Sequence, residues 1–328
     1  MNILVFGKDG QLGKAFKALF EKLPSSKKLH ITYLGRAQCD LSKEAEVLSK
    51  LHEFKPDLII NASAYTAVDK AEAESDLAFA VNAKAPELMA RYAAENNATF
   101  LHFSTDYVFD GSKKGFYIEG DTRNPLSVYG KSKAAGEEAI EKVFEQAFIK
   151  SSTGRFAIFR TSWVYGDGGN FIRTMLRLAK EREELKVIDD QYGVPTSAEW
   201  LAQLSLNLVL DSEFRLKQFP SGIYHAVPAG ETTWHGLATV AVQAALNAGI
   251  KLKARPEAIK PIPATEYPLP APRPMNSRMD SSKLRAALQN GVSGASNSYN
   301  EHQNVPNFSA WDGMVQDYVI QLASKGLI

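Results

Sequence analysis

Short apolar runs alternate with amphipathic stretches through the first half of the chain. Ile3–Phe6 has the pattern of a buried strand, and Gln11–Leu23 that of a helix with Leu12, Ala15, Phe16, Leu19 and Leu23 on one face. A second strand is predicted at His30–Leu34, then a helix at Ser42–Phe54 that Pro56 cannot continue. Leu58–Ile60, Phe100–Phe103 and Phe156–Phe159 read as further strands. Helical patterns lie between them at 76–95 and 126–148, the second opened by Asn124 as cap and Pro125 at the first helical position. Strand and helix in this alternation predict an α/β fold with a doubly wound parallel sheet, covered on both faces.

Beyond about residue 165 the rhythm loosens. Helices are predicted at 170–183, 197–210 and 233–248, with a short strand near Gly222–Ala226. A closing helix near 308–323 would pack through Trp311, Met314, Val315, Tyr318, Val319 and Leu322. Lys260–Pro274 carries six prolines in fifteen residues, too many for a regular element, and reads as an extended surface segment. Residues 289–306 are rich in Gly, Ser and Asn and read as a mobile loop. The predicted division is a nucleotide-binding domain over 1–165, with the later strand and helix near 222–248 added to it. A smaller C-terminal substrate-binding lobe would take most of 166–328.

Composition narrows the function classes. The chain has 328 residues, and 38 Lys+Arg against 37 Asp+Glu leave a formal charge of +1. That balance gives no electrostatic footprint for a nucleic-acid backbone. The single cysteine, Cys39, cannot form an internal disulfide; it reads as small buried filler in a protein of a reducing compartment. No apolar run reaches the ~18–20 residues that span a bilayer, and Met1–Phe6 leads straight into a strand, so the expected location is cytoplasmic.

Two clusters carry candidate chemistry. Gly7, Gly10 and Gly13 stand between the first strand and the first helix, where glycines permit a tight turn and close approach of backbone to a pyrophosphate. Their spacing, G-x-x-G-x-x-G, is not the standard G-x-G-x-x-G, but its place at the opening of a βαβ unit points to a Rossmann-type nucleotide site. The end of the second strand reads Leu34-Gly35-Arg36, without the carboxylate that grips an adenosine ribose. Arg36 is either an acceptor for a 2′-phosphate, favouring NADP, or a solvated arginine; Asp40 and Leu41 are candidates to meet the adenine. The second cluster is Tyr129 and Lys133, whose i, i+4 spacing puts phenol and ammonium on one helical face. A free tyrosine titrates near ~10, and a neighbouring cation lowers that value toward the range useful for proton transfer. Thr105, directly after the fourth predicted strand, falls where doubly wound sheets bind ligands.

Glycine turn, strand-end Ser104-Thr105 and Tyr-x-x-x-Lys, in that order, resemble the extended short-chain dehydrogenase/reductases. Within them the segments Asn61 to Glu72, Ser104 to Gly111, Phe159 to Tyr165, Asp190 to Thr196, Thr233 to His235 and Arg273 to Arg278 are similar to the dTDP-4-dehydrorhamnose reductase family. The resemblance covers about 1–288 and resumes in the last helix. It implies reduction of the C4 ketone of a dTDP-6-deoxy-4-hexulose by NADPH or NADH, the last step toward dTDP-L-rhamnose. It also implies roles. Tyr129 would be the general acid, Lys133 would bind the nicotinamide ribose and hold the Tyr129 pKa down, and Thr105 would stabilise the ketone oxygen. Gly10, Gln11 and Leu12 would meet the pyrophosphate, Ser63, Ala64 and Tyr65 the other half of the cofactor, and Asp106 and Trp163 the sugar nucleotide.

Related dehydratases place Glu after the strand-end Thr-Asp, whereas position 107 is Tyr, which speaks against water elimination. A reductase giving the C4 epimer and a non-catalytic NADP-binding regulatory subunit stay open as alternatives. Some family members hold Mg²⁺ through carboxylates at a subunit contact. Ala15 stands where the first-helix carboxylate is expected, with only Glu199 and Asp312 as candidates for the others. No metal ligand is therefore assigned, and Mg²⁺ dependence and the associated homodimer are both left open. The six histidines show no ligand spacing, and structural roles are expected for them.

Overall fold

The computed structural model describes residues 1–23, 29–290 and 308–328. Strand β1 (Asn2–Phe6) leads through the glycine turn into α1 (Gln11–Glu21), which buries Leu12, Phe16 and Phe20 one turn apart. Then follow β2 (His30–Leu34), α2 (Glu44–Phe54) and β3 (Leu58–Asn61). Short α3 (Val68–Ala71) precedes α4 (Ser75–Phe79), which runs through a π-helical turn at Ala80–Lys84 into α5 (Ala85–Glu95). The single helix expected over 76–95 is thus broken in its middle, because Asn82 is buried and makes side-chain bonds. Its amide accepts from the Tyr65 N–H at 2.8 Å and donates to the Ser132 hydroxyl at 3.0 Å. Strand β4 (Thr99–Thr105), α6 (Val128–Ile149) and β5 (Arg155–Thr161) complete the first half.

The cap of α6 differs from expectation. Ser127, not Asn124, is the N-cap, its hydroxyl accepting from the Gly130 N–H at 3.2 Å. Asn124 instead donates to the Asp110 carboxylate at 2.8 Å, leaving Pro125 outside the helix.

In the second half come β6 (Val164–Tyr165), α7 (Phe171–Glu181), β7 (Leu185–Ile188), β8 (Tyr192–Gly193), β9 (Thr196–Ser197) and α8 (Ala198–Val209). After them run β10 (Gly222–His225), β11 (Thr232–Thr233), α9 (Trp234–Asn247), β12 (Ile259–Ile262), α10 (Ser282–Asn290) and α11 (Trp311–Ser324). Six strands form one parallel sheet in the order β10-β5-β4-β3-β1-β2. One apolar layer, with α1, α8 and α10, covers one face; a second, with α2, α5 and α6, covers the other. A separate core holds α7, α9, α11, β7 and β12.

Three expectations need correction here. The 222–248 segment splits: β10 joins the sheet beside β5, but α9 leaves it and buries Leu237, Ala241, Val242 and Ala245 in the separate core. The proline-rich 260–274 stretch begins inside β12, which pairs in parallel with β7, Pro261 lying opposite Val187. Proline is tolerated because this is a two-stranded sheet with free edges. Gln289 and Asn290 end α10, while the rest of the loop expected over 289–306 lies outside the described residues. Among the described residues no helix is long and apolar enough to cross a membrane.

Helix α6 is fixed to the sheet by charge. Glu137 and Arg160, 0% and 1% exposed, meet across the α6–β5 contact, with Arg160 Nη2 2.7 Å and Nε 3.0 Å from the carboxylate. Arg123 Nε adds a third donor at 2.6 Å. Removing the carboxylate leaves Arg160 buried without a counter-charge. We expect Glu137→Ala to lose about 3–5 kcal/mol in urea unfolding. Adding Arg160→Ala should recover part of that loss, and strict additivity would show the pair uncoupled.

Candidate active site

The carboxyl ends of β1, β3, β4 and β5 open into one cavity of about 780 Å³, located where the strand order reverses between β1 and β3. The glycine turn forms one wall. Gly7 has φ +88°, a left-handed value, and a Cβ there would lie 2.8 Å from the Ala62–Ser63 peptide. A Cβ at Gly13 would lie 2.1 Å from the Gly7 carbonyl oxygen, so Gly13 seats α1 on the turn and does not reach the cavity. Gly10 caps α1 without a side-chain acceptor, and no acidic residue stands in the first turn. The first-turn N–H groups therefore keep their hydrogen-bonding capacity, and Gly10, Gln11 and Leu12 line the cavity. That is an anion site in form, with the positive dipole end beside it.

From the β2 end, Arg36, Asp40 and Leu41 line the same cavity. Asp40 is held below the ordinary carboxylate range first by the Ser42 hydroxyl and N–H, at 2.8 and 3.1 Å, and less by the Arg36 charge. Cys39 is buried, as expected, and burial pushes its thiol up to about 11, far from a reactive thiolate. From the β3 end come Ser63, Ala64 and Tyr65. The Ser63 N–H donates to Asn61 Oδ1 at 3.2 Å, and the Tyr65 hydroxyl to Glu74 at 2.6 Å.

The β4 end and α6 bring Thr105, Asp106, Tyr129 and Lys133 together. Tyr129 is hydrogen-bonded to Thr105, and burial, with Asp106 nearby, pushes its phenol up to about 12. The sequence argument expects Lys133 to lower it; in the buried site desolvation is the larger effect. The phenol is therefore protonated near neutral pH, the form an acid must have before it donates. Lys133 is drawn down to about 8 by burial, with Glu137 acting in the opposite direction. Its Nζ donates to the Phe103 carbonyl at 2.6 Å and lies 3.2 Å from His102 Nε2. The Thr105 hydroxyl donates to Asp106 Oδ1 at 2.9 Å and accepts from the Tyr107 N–H at 3.2 Å. Ser277 Oγ donates to the other Asp106 oxygen.

Trp163 follows β5 with φ +48°, strained for a bulky residue, and its ring stacks on Trp234 at 3.8 Å and 17°. Both line the cavity. Every residue the sequence singles out for cofactor or substrate, Gly13 excepted, thus lies at this one cavity. Five neighbours are not singled out by the sequence reading. Glu137 continues the Tyr129, Lys133 spacing by four more residues, a visible signal. Trp234 and Ser277 lie inside segments that carry the resemblance. Asp9 sits within the glycine turn and rests against Gly35. His102 has no sequence signal, since its role depends on cross-strand register with Asn61.

Among the described residues no group of three or more His, Cys, Asp or Glu could hold a metal ion, and Glu199 pairs with Lys22 at 3.1 Å.

Burial raises Asp106 to about 6, against the hydrogen bonds from Ser277 and Thr105. A carboxyl raised on folding adds stability only while protonated, and that contribution fades as pH climbs through the folded value. We expect Asp106→Asn to gain stability relative to the native chain between pH 4 and pH 7, by up to about 3 kcal/mol. Urea titrations across that range would check it; a constant difference would remove the shift.

Comparison with known proteins agrees in one direction. The family model described as RmlD substrate binding domain matches residues 1–294. The chain is 43% identical over 289 residues to a dTDP-4-dehydrorhamnose reductase of Shigella flexneri, covering 87% of this chain and 91% of that one. The crystal structure of a dTDP-4-dehydrorhamnose reductase from Clostridium acetobutylicum is similar at TM-score 0.78 and 31% identity, covering 98% of this chain and 99% of that one. A dTDP-4-dehydrorhamnose reductase from Bacillus anthracis, solved in complex with NADP, is similar at TM-score 0.77 and 29% identity, with the same coverage.

Proposed function

The chain belongs to the dTDP-4-dehydrorhamnose reductase family, and from that premise we propose that it reduces the C4 ketone of dTDP-4-dehydro-L-rhamnose to dTDP-L-rhamnose. It is an NAD(P)H-dependent oxidoreductase, and the cofactor, when bound, supplies the hydride. The observation that carries the reading is the meeting of Thr105, Tyr129 and Lys133 with the uncapped end of α1 at one cavity. The residues present fit a dinucleotide: the glycine turn leaves backbone room, and the α1 N–H groups offer donors for a pyrophosphate. Arg36 would take a 2′-phosphate, Asp40 and Leu41 the adenine end, and Ser63, Ala64 and Tyr65 the other half of the cofactor.

Tyr129 gives its phenolic proton to the ketone oxygen as C4 becomes tetrahedral, and the Thr105 hydroxyl turns from Asp106 to the same oxygen. Lys133 binds the nicotinamide ribose and offsets the phenolate charge left on Tyr129, which regains its proton from solvent. Asp106 and Trp163 hold the sugar nucleotide.

The direct test mixes purified protein with NADPH and dTDP-4-dehydro-L-rhamnose, follows cofactor absorbance and identifies product by NMR. Cofactor loss with dTDP-L-rhamnose is expected. A C4-epimeric product would move the chain to a sister reductase, and bound NADPH without turnover would make it a regulatory subunit. Tyr129→Phe should lower kcat about 10²–10⁴-fold with cofactor still bound; activity within twofold would remove Tyr129 as the acid. Arg36→Ala should weaken NADPH more than NADH in fluorescence titrations, because the 2′-phosphate is the only difference between the two. Equal losses would take Arg36 out of that site.

A further inference from the structure

His102 is fully buried on β4, three residues before Thr105, and both of its ring nitrogens are engaged. Nδ1 lies 3.1 Å from the Asn61 side-chain nitrogen on β3, and Nε2 lies 3.2 Å from Lys133 Nζ on α6. The proton positions follow from what each neighbour can give. Asn61 Oδ1 is already taken by the Ser63 N–H, so its NH₂ group is the end that faces His102. An amide NH₂ only donates, hence Nδ1 must accept and the ring proton must sit on Nε2. That Nε2–H points at Lys133 Nζ, and only the neutral amine has a lone pair to receive it. Nζ in turn donates to the Phe103 carbonyl. The alternative, an ammonium donating to Nε2, would put two donors face to face at Asn61.

We propose that His102 is a positioning residue for the reaction: relayed from Asn61, its Nε2–H orients Lys133 and favours the neutral amine form of Nζ in the cofactor-free protein. The inference rests on the reading of Lys133 as the residue that serves cofactor and phenolate. Burial acts in the same direction on both groups, favouring neutral Lys133 and neutral His102. The other charged or titratable groups around Lys133 are Glu137 and Tyr129 on α6, Asp106 after β4, and Arg160 on β5 behind Glu137. Of these Glu137 favours the ammonium, so the charge on Lys133 is set between a carboxylate one turn along the helix and an imidazole beneath it. A site tuned in this way holds the proton on Lys133 less firmly than a free lysine does, and more firmly once negative charge arrives beside it.

The tautomer can be read directly. Long-range ¹H–¹⁵N correlation on cofactor-free protein with ¹⁵N-labelled histidine, at about pH 9 where Lys133 is mainly the neutral amine, should show His102 protonated at Nε2; an Nδ1–H ring overturns the proposal. Asn61→Asp replaces the donor by a carboxylate, which should move the ring proton to Nδ1 and let Nε2 accept from an ammonium. The alkaline limb of the kcat/KM profile should then rise by about one pH unit. A folded Asn61→Asp protein with the native profile overturns the proposal as well. If the native chain reduces no sugar nucleotide, the functional reading fails, and the tautomer spectrum alone decides the role of His102.

Discussion

The buried carboxylate of Glu137 is the point on which the inner face of α6 depends. Tyr129, Lys133 and Glu137 follow one another at intervals of four residues, so whatever fixes Glu137 fixes the direction of the other two. Arg160 and Arg123 bind it from β5 and from the loop before α6, and its charge acts on Lys133. Desolvating such a pair cancels much of its Coulombic gain, so its value is geometric more than energetic. The α6 helix cannot rotate or slide without breaking it.

Backbone contact sets the opposite wall. Because Gly13 touches the Gly7 carbonyl and Gly7 touches the Ala62–Ser63 peptide, the start of α1 and the end of β3 are spaced by main-chain atoms alone. Side-chain motion cannot widen or close that wall. The π-helical turn makes a second such link: Asn82 bonds to the Tyr65 backbone on one side and to Ser132 of α6 on the other. The wall after β3 and the α6 wall are thus linked through the side chain of Asn82. Strain is confined to the third wall, where Trp163 has a left-handed backbone at a cost of order 1–3 kcal/mol and leans on Trp234.

Much of this was legible in the chain because the sheet is built from contiguous apolar runs. Strands β1 to β5 and the helices between them carry local periodicity, and the glycine turn and Tyr129–Lys133 spacing are local too. What escaped was set by distant partners. Strand β12 contains a proline, Pro261, and forms beside β7, a partner distant in sequence. The cap of α6 moved to Ser127 because Asn124 had a better partner in Asp110. The destination of α9 depended on α7 and α11, which periodicity cannot name. The direction of the Tyr129 shift escaped for a similar reason: spacing shows the cation but not the degree of burial.

That last difference changes how the site works electrostatically. Burial in this wall leaves Tyr129 protonated, Lys133 near half-titration at mildly alkaline pH and His102 neutral, while Glu137 keeps its charge against Arg160. Anionic phosphates would gain little from such a wall. The groups able to meet them are the peptide dipoles at the start of α1 and the exposed guanidinium of Arg36, both away from the reacting centre. On the proposed reading, affinity and chemistry fall to different parts of one cavity, and the division has a physical reason. A fixed cation hard against Tyr129 would stabilise phenolate in the resting enzyme and spend the proton before the ketone arrives. On the proposed reading, burial and the neighbouring Asp106 keep the proton on Tyr129 until charge develops on the substrate oxygen, which is when its transfer becomes favourable.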